Sequence, residues 1–255
     1  MTLSTPIVEF MYALKLTGMA EAWHEQCDTP DFADLGFDDR LLMLLERERQ
    51  HRNDRSYLAR LRKAQLRERA EISDIECSAG RGITRTALLS LATGDWIRAG
   101  ANLRLHGATG VGKTFLACAL GNQACRQNRS VAYIRVPELV LSLNAARATP
   151  RYSRIMRRLI GADLVILDDW GLEDFSAQGR RDILEIIEPR SATRSTMIAS
   201  QLPVSAWHGV LGEGTIADAI IDRIVHYGHE ITLTGESRRK QHTLAPIDQP
   251  QLPTA

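Results

Sequence analysis

The stretch NLRLHGATGVGKTFLACALG, residues 102–121, constrains the fold more than any other part of the chain. A short alternating run leads into a glycine-rich loop, and a small-residue apolar stretch with helical character follows. Within it GATGVGKT, residues 107–114, fits GxxxxGK[ST]. Gly107, Gly110 and Gly112 allow backbone conformations that bulkier residues resist. The loop can then turn its N–H groups onto phosphate oxygens, and a helix starting near Lys113 aims its positive end at the same charge. Strand, loop and helix in this order are the context a phosphate-binding loop requires. The expected cradle is Gly107, Ala108, Thr109, Gly110, Val111, Gly112, Lys113, Thr114 and Phe115. Lys113 would reach the β- and γ-phosphates, and Thr114 would place its hydroxyl on Mg²⁺.

From residue 101 onward, short apolar runs alternate with helical segments. The runs are NLRLHG (102–107), SVAYIRV (130–136), DLVILDD (163–169), STMIASQ (195–201) and HEITLTG (229–235). Strands alternating with helices predict a parallel sheet with helices on both faces. In LVILDDWG a buried strand carries Asp168 to the C-terminal edge of the sheet, where ligands of open α/β sheets bind. Asp168 is then a Mg²⁺ partner, through water, and Asp169 could orient and polarise an attacking water. Gln201 closes the fourth strand, beside Ser200. It could sense the γ-phosphate or hold the water, or be a plain loop amide. Arg223 lies in DAIIDRIVHYG, whose apolar positions are Ile220, Ile221, Ile224 and Val225. It is either solvated or offered as an arginine finger to a neighbouring subunit's γ-phosphate.

The first hundred residues are of another kind. Ile7, Phe10, Met11, Leu14, Met19 and Trp23 have helical spacing over residues 7–25, and Gly18 interrupts that helix at some cost in stability. A second helix is predicted to start after Asp38 or Asp39 and to run through residue 71. Residues 46–70 hold nine Arg or Lys against four acids. That excess suits a solvated face laced with Glu–Arg pairs, or a surface for a phosphate backbone. The arginine share leans towards nucleic acid, because the guanidinium fork matches phosphate oxygens. Arg52 and Arg55 are the contact candidates there. The expected organisation is a helical domain over 1–70, a glycine-punctuated connector over 71–100, an ATPase domain over 101–240 and a disordered tail over 241–255.

The formal net charge of +1 names no partner. Cys27, Cys77, Cys118 and Cys125 form no CxxC pair and no Cys/His cluster, so neither a zinc site nor a disulfide framework is indicated. The first residues carry Glu9 and Lys15 within their apolar part and do not resemble a signal peptide. No apolar run is long enough to span a bilayer, and the expected location is the cytoplasm.

GATGVGKTFLACALG, LVILDDWG, IASQLPVSAWHGVLGEGTIADAIIDRIVH and GESRRK together resemble the IstB-type transposition helper ATPases, AAA+ relatives of the DnaC-type helicase loaders. The motifs span residues 102–240, and the Arg-rich N-terminal part and the opening VEFMYALKLTGMAEAW are similar to that family too. The resemblance implies a P-loop AAA+ three-layer sandwich with a five-stranded parallel sheet, a small all-helical N-terminal domain, and a vestigial or absent lid. It implies ATP hydrolysis with Mg²⁺, coupled to assembly of a homo-oligomer (ring, spiral or filament) on duplex target DNA, with a transposase as partner. By motif match, Lys113 and Thr114 act at the phosphates and Mg²⁺, Asp168 at Mg²⁺ and Asp169 on the water. Gln201 falls at the sensor-1 position and Arg223 at the arginine-finger position. The wider class often has Glu where Asp169 stands and more commonly Asn at sensor 1. Arg238 and Arg239 are the sensor-2 candidates.

RATPRYSRIMRR, residues 147–158, carries five arginines and no acid. Arg147, Arg151, Arg154, Arg157 and Arg158 could line a loop facing the axis of an assembly, as a phosphate track with steep salt dependence, or decorate a solvated helix. No base-reading motif is present, so DNA binding is expected to be largely sequence-independent. Three other readings compete: a helicase loader built on the same core, a P-loop small-molecule kinase, and a nucleotide-gated binding module without useful hydrolysis.

Overall fold

The computed structural model describes residues 5–237. The chain divides into two compact units, Met1–Arg62 and Lys63–Ala255.

The first unit is helical. Helix α1 (Thr5–Ala13) packs on α2 (Thr17–Asp28) through Val8, Met11 and Ala20, with Leu16, Met19 and Trp23 against them. The predicted single helix over 7–25 is therefore two. The break lies at Lys15, whose φ of 59° is left-handed, and not at Gly18. Gly18 sits inside α2, where a Cβ would come within 2.5 Å of the His51 Cβ. Its lack of a side chain lets α2 approach the long helix α3 (Phe37–Ala64) closely. Asp38 and Asp39 stand in the first turn of α3, where acids favour the positive helix end. The helix stops at Ala64 rather than 71, because Gln65 turns left-handed at φ 57°.

The second unit is a five-stranded sheet. Residues 71–100, expected as a connector, pack as part of it. Helices α4 (Arg85–Ala92) and α5 (Asp95–Arg98) bury Leu88, Leu91, Trp96 and Ile97. Then come β1 (Asn102–Gly107), α6 (Lys113–Arg126), β2 (Val131–Arg135), α7 (Val136–Ala146), α8 (Pro150–Gly161) and β3 (Leu164–Trp170). They are followed by α9 (Ala177–Ile187), β4 (Ser195–Ser200), α10 (Trp207–Leu211), α11 (Thr215–Val225) and β5 (Gly228–Leu233). Strand order is β2-β3-β4-β1-β5, and every pairing is parallel.

Strand alternation sorts side chains between the two faces. Val165, Leu167 and Ile198 join the core made with α7, α8, α9, α10 and α11. Ile166 and Val131 instead meet Gly121 of α6 on the opposite face. The layers are therefore helix, sheet, helix. Arg190 is fully buried where α8, β4 and their connections meet. It donates to the carbonyls of Leu159, Ile160, Ala162 and Ser195, which takes up part of the free C-terminal end of α8. Burial, with the Arg194 charge nearby, pulls its pKa down to about 10 despite the Asp163 carboxylate. No helix among the described residues is long and apolar enough to cross a membrane.

Candidate active site

The C-terminal ends of β1, β3 and β4 converge on one cavity of about 640 Å³, lined by Thr109, Gly110, Lys113, Thr114, Asp169 and Gln201 among others. Its size suits a nucleotide. Gly110 and Gly112 hold φ of 85° and 103°, a region that side chains resist. The Lys113 ammonium donates to the carbonyls of Gly107 at 2.7 Å and Ala108 at 2.9 Å, across the mouth of the loop. Thr114 Oγ1 donates to Asp168 Oδ2 at 2.7 Å. These two oxygens, side by side at the start of α6, form a hard oxygen pair that suits an octahedral divalent cation with water completing the shell.

Asp168 also accepts from the Tyr133 hydroxyl at 2.7 Å. Burial, with the Asp168 carboxylate beside it, pushes the Tyr133 pKa far up, so this hydroxyl remains a donor. Asp169 carries the one unusual backbone angle of β3, a φ of 56°. Pairing with β4 slips there, from Leu167 opposite Ile198 to Trp170 opposite Ser200. Two successive residues of a regular strand face opposite sides. The bulge undoes that alternation, and the Asp169 carboxylate accepts from Arg135 Nε at 2.6 Å. Tyr133 and Arg135 are two apart on β2, on one face, so both acids end on the α6 side of the sheet.

Gln201 follows β4 directly and accepts from Thr109 Oγ1 at 2.7 Å, which puts its amide over the loop. Ser237 lies against Gly110. Arg238 and Arg239, which come next, fall outside the described residues, as does the tail 241–255. Arg81 reaches the same loop from the segment before α4, donating to Val111 O at 3.1 Å.

Arg223 is not in this cavity. Its own carbonyl accepts from Asn102 at the N-terminal end of β1, five residues before Gly107, or roughly 17 Å along the strand. Its guanidinium donates to Glu188 at 2.6 Å and back to Ala219 O at 3.2 Å.

The basic run 147–158 is a turn and a helix rather than a loop. Arg147 turns onto the buried Asp182 at 2.7 Å and over the Tyr152 ring, so its charge is met within the chain. Arg158 donates to Gln65 and to Lys63 O. Arg151, Arg154 and Arg157 stand exposed on α8 and form no ion pair among the described residues. In the helical unit, Arg52 is bonded to Glu48 at 2.6 Å and Arg55 is exposed.

The sequence model of the IstB-like ATP binding proteins matches residues 10–245. This chain belongs to the IstB-like ATP binding protein family. A Sinorhizobium fredii protein bearing the name insertion sequence ATP-binding protein y4pL is 49% identical over 238 residues, 93% of this chain and 97% of that one. The ATP-binding protein assigned to insertion sequence IS1162 of Pseudomonas fluorescens is 44% identical, over 80% of this chain and 88% of its own length. Among solved structures, the DnaC helicase loader superposes with a TM-score of 0.55 at 19% identity, covering 65% of this chain and 97% of that one. DnaI superposes at 0.56 with 25% identity, covering 67% and 91%. The fold is that of the P-loop AAA+ proteins, as the motifs implied.

Tyr133 and Arg135, which bond Asp168 and Asp169, are candidate site residues that motif reading missed. Their signal was present: they alternate within SVAYIRV, on the strand that becomes the neighbour of β3.

Proposed function

We propose that this chain is an ATPase of DNA transposition that binds ATP with Mg²⁺, assembles on duplex DNA and presents that DNA to a transposase. The observation that carries the reading is the separation of Lys113 and Arg223, at opposite ends of β1. A cation that far from its own phosphate loop is not placed to meet a nucleotide bound there; in this reading it serves a nucleotide held by another subunit, and hydrolysis requires assembly. Membership of the IstB-like family and the insertion-sequence names of close relatives support transposition over replication. The helicase-loader alternative rests on likeness of fold.

In this reading Lys113 and the loop amides bind the phosphates. Thr114 and Asp168 would hold Mg²⁺, which when bound would neutralise charge on the phosphate oxygens. Asp169 orients the attacking water and Gln201 contacts the γ-phosphate. In the described geometry Asp169 is held by Arg135. Turnover therefore includes a step in which this pair opens and the carboxylate turns to water. Arg151, Arg154, Arg157 and Arg158, with Arg52 and Arg55, supply phosphate contacts that read no sequence.

The test is ATP turnover per subunit over a range of protein concentrations, with and without duplex DNA. Turnover per subunit should rise with concentration and rise further with DNA. Turnover independent of both overturns the proposal and returns the chain to the small-molecule kinase class.

A further inference from the structure

Arg104 is a buried guanidinium in the middle of β1, between Leu103 and Leu105. A cation there costs desolvation that an apolar side chain would not, so its contacts call for a reason. Nη1 donates to Ile224 O at 3.2 Å and Val225 O at 3.3 Å, and Nη2 reaches Glu230 at 3.4 Å. Two residues earlier, Asn102 Nδ2 donates to Arg223 O at 2.9 Å and Ile224 O at 3.2 Å. Asn102 Oδ1 accepts from the Thr196 amide of β4 at 3.0 Å.

The last carbonyls of a helix have no partner within it. Here those of Arg223, Ile224 and Val225 are all taken by β1, and a positive charge stands at the negative end of α11. Ala217, Ile220 and Ile224 pack α11 into the core, and the β1 donors add directional contacts at its end. These donors fix its final turn, the turn that carries Arg223. The strand that holds the clamp at one end becomes the phosphate loop at the other.

We propose that Arg104 and Asn102 are positioning residues for hydrolysis in the neighbouring subunit. They hold α11 at one height and rotation on β1, so that Arg223 is presented to the nucleotide across the interface. This rests on the reading that Arg223 acts in trans.

The experiment mixes full-length variants on duplex DNA and measures ATP turnover. Lys113→Ala offers an arginine but no site, and Arg223→Ala offers a site but no arginine. Mixing these two should restore turnover. If it does not, the in-trans reading itself fails, independently of Arg104. Arg104→Leu alone should lose about 10- to 100-fold, the range for a catalytic group displaced by ~1 Å. Excess Lys113→Ala subunits should restore turnover at the Arg104→Leu sites, and Arg223→Ala subunits should not. Arg104→Lys, which keeps a cation on fewer carbonyls, should recover part of the loss. Wild-type turnover in Arg104→Leu overturns the proposal. So does loss that Lys113→Ala subunits cannot rescue, because the residue would then serve its own site or the fold. If Arg104→Leu does not fold, Asn102→Ala decides by the same pairings.

Discussion

At the C-terminal edge of the sheet, loop and strand ends from β1, β3 and β4 converge within one subunit around a space for phosphate. At the N-terminal edge, β1 and β4 converge on a helix end, and what they hold is Arg223, turned aside onto Glu188. The first edge holds the phosphate loop with Lys113 and Arg135 beside it, and the second holds Arg223 away from that loop. In the proposed reading, the comparison makes each chain half of two sites rather than the whole of one.

Four measurements would break or sharpen it. If Arg223 is the proposed arginine finger, Arg223→Ala should lower turnover by roughly 10³-fold while nucleotide affinity stays unchanged. A matching loss of affinity would place Arg223 at its own site and dissolve the distinction between the edges. Asp169→Asn should lower phosphate release by about 10²-fold, the scale for a group that positions the water. Unchanged release would revive the nucleotide-gated module. Arg151→Ala combined with Arg154→Ala should weaken duplex binding and reduce the slope of log affinity against log salt by about 2, one for each lost phosphate contact. An unchanged slope removes α8 from the DNA surface. The smallest effect belongs to the ion pair at the C-terminal edge. Arg135→Gln should raise DNA-free turnover several-fold, since a partly exposed pair is worth about 1 kcal/mol. A fall instead would mean that Arg135 orients Asp169 for reaction rather than restraining it.

How much of this was legible in the sequence follows from how local each signal is. The phosphate loop, the five strands and the parallel order depend on spacing within a few residues, and they read directly. The Asp169 latch depends on which residues of β2 stand opposite β3, and that register is not written in either segment alone. The Arg147 side chain looks free in a run of arginines, yet a buried acid 35 residues later claims it. The helix break at Lys15 and the early stop at Ala64 each turn on one left-handed residue in an otherwise helical pattern. Glycine, the usual marker of such a turn, stands elsewhere.

That same conformation bears on the choice of acid after Asp168. Left-handed backbone is tolerated by aspartate and asparagine better than by longer side chains, because the short polar group can bond locally. Asp169 holds φ 56° at the bulge, so the strand favours the shorter acid over glutamate at this position. Lengthening the side chain by one methylene here would cost backbone strain before it gained any reach.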